Sequence, residues 1–238
     1  MKKAALILLM IVLLLGGYRF FIAVQFERQT DRFVQNQQGR PFSITADTVT
    51  SANSLFTIGR HYENMRIETS ELTYQNPDVY LFVSIFHPLT VQIRMQGLHH
   101  LNGTEITSST LTGSVHLKDQ TGHAAVKNIH TPLGEIDSVS LDFAWHKTEL
   151  RLQPLWIQIQ KTVLAVTGSL SDTHADLSAT LVGWKDGLAY LKEKHLLSKD
   201  GYNQLYWTFQ LLSNGNELVI PVTIQNNRIS VAGIQWTL

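Results

Sequence analysis

Residues 89–96 read LTVQIRMQ, and this stretch decides the fold because its side chains alternate strictly between apolar and polar. Successive side chains of a β-strand point to opposite faces, so such a strand has one buried and one wet face. The same period of two recurs over residues 111–117, 139–145 and 218–224. Helical crossovers are absent between these stretches until late in the chain. The sequence therefore predicts a mainly β (α+β) protein built on a curved antiparallel sheet.

Two breaks in the alternation predict irregularities in the sheet. The apolar parity changes at Pro154, and because proline cannot donate to a central ladder, we expect a bulge or a strand break there. Near the carboxyl end, Asn226-Asn227 suits a tight turn between paired strands. The last strand changes parity beside Gly233, where a bulge forms most easily.

Residues 79–86, VYLFVSIF, are apolar on both faces of the predicted strand except at Ser84. Such a strand is covered on both faces. The simpler alternative is a central strand with a helix packed over its second face. In the other alternative, Tyr80, Phe82 and Phe86 form a candidate apolar groove for a hydrophobic ligand.

A helical hairpin is predicted at residues 184–213, late in the chain, where the period changes to that of an α-helix. One apolar stripe with helical spacing consists of Trp184, Leu188, Leu191 and His195. We expect His195 to be a packed histidine on that stripe. Asp200 is the expected N-cap of the second helix, and Asn214-Gly215 is a stop signal. The hairpin would pack its apolar stripes against the sheet.

The first 26 residues predict a membrane anchor. Lys2 and Lys3 precede an apolar run from Ala4 to Gly17, which is shorter than the ~20 residues that span a bilayer. Including residues 20–26 makes the segment long enough, with Arg19 reaching back to an interface. A cleaved signal peptide is the competing interpretation, but the sequence has no pair of small residues at a fitting cleavage position.

The charges flanking this segment predict its orientation. Lys2, Lys3 and the amino terminus are concentrated on one side, whereas acidic residues flank the arginines beyond it, which favours a cytoplasmic amino terminus. We therefore expect a single-pass protein of the inner (plasma) membrane with its body in the periplasm. Residues 27–39 would form a helical stalk, and residues 40–238 a β-rich extracytoplasmic domain.

Composition excludes some classes of function. The 238 residues include 19 basic and 19 acidic side chains, so no net charge attracts polyanions, and the tryptophans are not interleaved with the basic residues. Nucleic-acid binding is therefore disfavoured. The chain has no cysteine, which excludes disulfides and thiolate chemistry.

Motifs for catalysis or metal binding are also missing from the sequence. It has no phosphate-binding glycine loop and no nucleophile elbow, and Ser114 and Ser169 follow glycines inside alternating strands. His99 and His100 would point to opposite faces of a strand and so cannot easily share one ion. We therefore predict no catalytic residue, no cofactor and no metal site.

Three stretches carry a resemblance to a known family. They are RIETSELTYQNPDVYLFVSIFHPLTVQIR from residue 66, LVGWKDGLAYLKEKHLL from residue 181 and ELVIPVTIQNNRISVAGIQW from residue 217. The chain from about residue 40 resembles the alphaproteobacterial family called domain of unknown function 2125 and, more loosely, AsmA-like envelope proteins. The first resemblance implies an anchored envelope protein with a tryptophan-bearing late helix. The second implies an association with lipid handling, and neither implies an activity.

Three functions remain open at this point. The leading hypothesis is a non-catalytic, membrane-anchored periplasmic protein that binds lipid or another hydrophobic ligand in envelope maintenance. The second is a scaffolding subunit of an envelope protein complex, which would expose a large apolar patch. The third is a hydrolase whose site carries no recognisable motif.

Overall fold

A computed structural model describes residues 2–37, 42–70, 72–146, 149–171, 174–225, 228–231 and 234–237. Within these residues the protein is mainly β, with sixteen strands and three helices, and every strand pairing described is antiparallel. The predicted fold class is confirmed in this respect. The chain divides into two compact units, Met1–Thr104 and Glu105–Leu238.

The first unit consists of one long helix and a sheet. Its elements are α1 (Lys2–Gln37), β1 (Phe42–Thr45), β2 (Thr48–Ser51), β3 (Thr57–Thr69), β4 (Thr73–Ser84), β5 (His87–Met95) and β6 (Leu98–Leu101). The order in the sheet is β1-β3-β4-β5, with β2 also paired to β3 and β6 also paired to β4. The alternating stretch 89–95 lies in β5, and the apolar stretch 79–86 forms the end of β4 and the turn after it.

Helix α1 packs along one face of this sheet because its apolar residues recur every four positions. Ile22 and Phe26 are buried against Ile58 of β3 and Val83 of β4, and Val34 packs on a second cluster farther along the sheet. An ion pair between Arg60 and Asp31, at 2.9 Å, adds a polar contact to the apolar ones.

Residues 27–37 of the predicted stalk are therefore helical, and Asp31 and Val34 of this segment contact the sheet. Residues 38 and 39, at the end of that predicted segment, lie outside the described residues.

The second unit is an antiparallel meander with two helices inserted near its end. Its elements are β7 (Thr104–Thr107), β8 (Leu111–His116), β9 (Thr121–Thr131), β10 (Gly134–His146), β11 (Glu149–Ile159), β12 (Thr162–Leu170), β13 (His174–Val182), α2 (Trp184–Glu193), α3 (Lys199–Leu212), β14 (Glu217–Gln225), β15 (Arg228–Val231) and β16 (Ile234–Thr237). From β8 to β16 each strand pairs with the next, and β7 pairs with β9.

The alternating stretches 111–117, 139–145 and 218–224 fall in β8, β10 and β14, as predicted. The β11–β12 register shifts between Leu152 and Leu155, which confirms the irregularity expected at Pro154. The predicted turn at Asn226-Asn227 and the predicted bulge at Gly233 lie outside the described residues.

The two late helices cover part of the second unit. Trp184 and Leu188 of α2 and Leu218 of β14 are buried together, and α3 residues pack around them, which confirms the predicted pair of helices on the sheet. Burial of each such side chain contributes about 1.5–3 kcal/mol relative to exposure.

Two details of this helical pair were predicted wrongly. Helix α2 ends at Glu193, so His195 lies past its end, in a left-handed conformation (φ 57°), and is exposed rather than packed. The N-cap of α3 is Ser198, whose hydroxyl accepts a hydrogen bond from the Gly201 backbone N–H, whereas Asp200 lies inside the first turn. A carboxylate there still interacts favourably with the positive end of the helix dipole.

Candidate functional site

One end of the first unit's sheet brings α1 together with two chain reversals, the 52–56 loop before β3 and the turn at residues 85–86 after β4. The Arg19 guanidinium of α1 donates a hydrogen bond to the Ser54 carbonyl at 2.7 Å. The Ile85 backbone N–H donates to the Phe56 carbonyl at 3.0 Å, which joins the two reversals. This end of the unit is therefore a connected structure and not a set of independent loops.

Three large apolar side chains at this end are exposed, and we call Leu55, Phe56 and Phe86 the apolar rim. Their exposed fractions are 69%, 52% and 65%, respectively. The Phe56 and Phe86 rings pack against each other, with 5.8 Å between their centroids. Exposed apolar groups that form a contiguous patch are typical of interaction sites, whereas scattered ones are common on any surface.

The segment of α1 that precedes its packed part exposes further apolar side chains to solvent. They are Leu13, Leu14, Leu15, Tyr18, Phe20 and Phe21. From Ile22 onward the same helix buries apolar residues against the sheet, so the change from exposed to packed occurs within a few residues of Arg19. Within the part of the chain that the structure describes, no helix carries an apolar stretch long enough to cross a membrane.

A depression of about 380 Å³ lies on the sheet of the same unit, lined by Ala52, Thr57, Tyr80, Leu81, Phe82, Arg94 and Gln96. The alternation of β4 creates it, because Val79 and Val83 face α1, so that Tyr80 and Phe82 project from the opposite face. That face is half-exposed and open to solvent. The volume lies at the lower end of the range for small-molecule sites, and the lining is mixed in polarity.

Aromatic and cationic groups hold the side chains of this depression in place. The Tyr80 ring stacks on the His61 ring at a centroid distance of 4.2 Å, and His61 Nε2 lies 2.8 Å from an Asp78 carboxylate oxygen. The Arg94 guanidinium carbon is 5.9 Å from the centroid of the Phe82 ring. An exposed cation over an aromatic face suits an amphipathic anion, since the charge and the ring would contact different parts of it.

The structure brings Tyr80 and Phe82 of the predicted groove together on one face of β4, but Phe86 lies beyond the strand, in the apolar rim. Arg19 is placed at the end of the sheet, on the Ser54 carbonyl. The side chains of Lys2 and Lys3, predicted at the membrane interface, lie outside the described ones.

A buried polar cluster of Tyr74, Asn76 and His99 escaped the sequence analysis. His99 Nδ1 lies 2.8 Å from the Tyr74 hydroxyl and 3.0 Å from the Asn76 amide nitrogen, which also donates to the Gln96 and Leu98 carbonyls. Burial lowers the pKa of His99, with a smaller contribution from the neighbouring His100, and burial raises the pKa of Tyr74. The cluster is a structural network that ties β4 to β6.

Within the described residues, no group of three or more His, Asp or Glu side chains could hold a metal ion. The histidine–carboxylate contacts of the second unit, His123 with Asp142 and His130 with Glu135, are exposed pairs on neighbouring strands. Ser114 and Ser169 lie in β8 and β12, inside ladders rather than on a strand-to-helix turn.

No known protein-family model matches the chain, and no curated protein is similar to it. The resemblance to the domain of unknown function 2125 family and to AsmA-like proteins therefore stays a prediction. The features of this unit that bear on function are the apolar rim, the exposed part of α1 and the depression on the sheet.

Proposed function

We propose that the chain is a non-catalytic protein anchored in the inner membrane by its leading helix. Its β-rich body works in the periplasm and binds lipid or another hydrophobic ligand in envelope maintenance. The ligand site is the depression lined by Tyr80, Phe82 and Arg94.

The anchor is supported by the sequence of α1 and by its exposed part. The run Ala4–Gly17 is apolar, and the helix continues without interruption to residues that pack on the sheet. The exposed leucines and phenylalanines at residues 13–21 would lose their contact with water in a bilayer. Burial of each such side chain contributes about 1.5–3 kcal/mol, so the segment would be much more stable in a membrane than exposed to water.

The ligand proposal rests on one observation: the depression is lined in part by the 52–56 loop, to which Arg19 of α1 is hydrogen-bonded. Ala52 and Thr57 line the depression, and between them lies Ser54, whose carbonyl accepts the bond from Arg19. A lipid leaving the bilayer at the level of this loop would reach the depression on the face of the sheet opposite α1. There, Arg94 would pair with an anionic headgroup, and the Phe82 ring would contact the first part of a chain.

Native mass spectrometry of the full chain in mild detergent tests the ligand proposal. We expect the wild type to retain one lipid after most detergent-bound lipid is stripped, and Phe82→Gln to lose it. Loss of the ring contact should weaken binding about tenfold or more, since even partial burial of an aromatic ring is worth over ~1.4 kcal/mol.

Leu133→Gln, at an exposed position of the second unit, is the matched control and should keep the lipid. Arg94→Gln should reduce retention of phosphatidylglycerol more than that of a zwitterionic lipid. Equal retention by wild type, Phe82→Gln and Leu133→Gln, or no retained lipid in any of them, would refute the proposed site.

A scaffolding function is the second candidate, favoured by an exposed apolar face on α3. Trp207, Leu211 and Leu212 are all exposed, with Leu211 at 84%. A photoreactive residue at position 211 should then crosslink to one envelope protein in a stoichiometric product, and the same residue at position 133 should not. If position 211 crosslinks no more than position 133, this candidate is removed while the lipid proposal stands.

A further inference from the structure

We propose that the apolar rim, Leu55, Phe56 and Phe86, inserts into the interfacial region of the bilayer that holds α1. The body would then contact the membrane surface at a second point and would not hang from the helix alone. This inference rests on the membrane anchor of the proposed function. It adds a second surface of the body that contacts the bilayer, and the depth at which that surface lies.

The contact of Arg19 with the 52–56 loop sets the level of the rim along α1. Because Ile22 and Phe26 pack on the sheet, the membrane-embedded part of α1 would end near residue 21, and Arg19 lies close to that end, where its charge reaches the interface. Its guanidinium is bonded to the Ser54 carbonyl at 2.7 Å, so the loop that carries Leu55 and Phe56 lies at that level. A loop at this depth meets the headgroup region whether or not its side chains suit it.

The side chains of the rim suit the headgroup region. Leucine and phenylalanine gain from partial burial among headgroups and upper acyl chains, as in other interfacial segments. In water the three side chains are each more than half exposed. A protein partner is a less direct occupant, because it would have to reach the rim beside a helix that is itself embedded in lipid.

Packing and hydrogen bonds hold the rim in place relative to α1. Ile22 and Phe26 pack α1 onto the sheet directly after Arg19, and the bond from the Ile85 N–H to the Phe56 carbonyl joins the two reversals. The rim therefore cannot swing away from the membrane while the helix stays packed.

The absence of cysteine makes the test clean, since a single added cysteine can carry a polarity-sensitive fluorophore. Full-length Leu55→Cys and Phe86→Cys are labelled in vesicles of phosphatidylethanolamine and phosphatidylglycerol. Lipids with a nitroxide near the headgroup or near the chain end then measure depth by quenching. Leu14→Cys reports on the anchor, because the helical rise places it about 8 Å deeper than Arg19.

Leu72→Cys is the aqueous control, because Leu72 lies directly before β4 and so about 40 Å from the rim end of that strand. Circular dichroism checks that each variant folds, and Phe56→Cys replaces Leu55→Cys if the latter does not. We expect blue-shifted emission and quenching by the shallow nitroxide at positions 55 and 86, quenching by the deep nitroxide at 14, and neither effect at 72.

If positions 55 and 86 behave like position 72 while position 14 is quenched, the anchor stands and the rim proposal is refuted. If position 14 also escapes quenching, the anchor itself fails and the rim fails with it. Blue-shifted emission at 55 and 86 without any lipid quenching would mean that protein covers the rim, which likewise overturns the proposal.

Discussion

Replacement of Phe26 tests whether α1 is packed on the sheet as part of the first unit. Phe26 is 8% exposed and packs with Ile22, Ile58, Val83 and Ile85. Phenylalanine-to-alanine changes in cores cost about 3–5 kcal/mol, and a helix on a sheet can partly close the space that is left. We therefore expect Phe26→Ala to lower the free energy of unfolding of this unit by about 3 kcal/mol.

Hydrogen exchange of the full chain, followed by mass spectrometry of peptides from β3 and β4, measures this loss. Tryptophan fluorescence would miss it, because all five tryptophans lie in the second unit. A loss of about 3 kcal/mol should accelerate exchange of the most protected β3 and β4 amides about 100- to 200-fold.

Phe20→Ala is the matched control on the same helix, because Phe20 is 71% exposed. Its effect on those amides should stay within about 0.5 kcal/mol, as for most surface substitutions. Equal and small effects of the two variants would refute the packing of α1, and with it the argument that the helix fixes the level of the rim.

Burial disfavours the charged form of His99 and lowers its pKa in the folded chain. The unfolded chain therefore takes up a proton near the ordinary pKa of 6.5, at which the folded chain does not. The free energy of unfolding should fall as the pH drops below that value and level off below the lowered pKa. Denaturant midpoints from circular dichroism at about pH 7.5 and about pH 5.5 check this, and His99→Gln should reduce the difference. In the second unit, Trp184→Ala should lower the free energy of unfolding by about 3–5 kcal/mol, because Trp184 is fully buried. Trp207→Ala should lower it by less than about 0.5 kcal/mol, because Trp207 is 65% exposed. Comparable effects of the two substitutions in thermal unfolding would contradict the packing of α2. Gly168→Ala should destabilise by about 2 kcal/mol or more, since φ is +133° and the added Cβ would press on the Asp176 carbonyl; an unchanged denaturant midpoint would contradict that geometry.

The strands were predictable because their side chains alternate between apolar and polar along the chain. The alternation at 89–95 and 218–224 marks β5 and β14, and the parity change at Pro154 marks the shifted β11–β12 register. Patterns of this kind depend only on neighbours in the chain, which is why one sequence is enough to show them.

The packing of α1 on its own sheet could not be predicted in the same way. Val34 fits both a solvated stalk and a contact surface, and the contact depends on β3 and β4 residues that are distant in sequence. The Tyr74–Asn76–His99 network escaped notice for the same reason, because only the pairing of β4 with β6 brings its members together. His195 was misjudged because its spacing continues the stripe of α2 after the helix itself has ended.

The candidate site was predicted only in part. The two-sided apolar pattern of β4 identified Tyr80 and Phe82, but not Arg94, which is one of the polar residues in the alternation of β5. Leu55 is not part of a periodic pattern because it lies in a loop. It is close to Phe86 because a backbone hydrogen bond joins the two chain reversals, and that bond is not visible in the sequence.

Labelling from one side of the membrane tests the central claim most directly. In a Gram-negative host, a membrane-impermeant maleimide is applied to intact spheroplasts that contain full-length Leu133→Cys or Lys2→Cys. An anchored protein with a periplasmic body predicts that Leu133→Cys reacts at once, whereas Lys2→Cys reacts only after the membrane is permeabilised. Protection of Leu133→Cys until lysis, or its recovery in the soluble cell interior, would contradict the account.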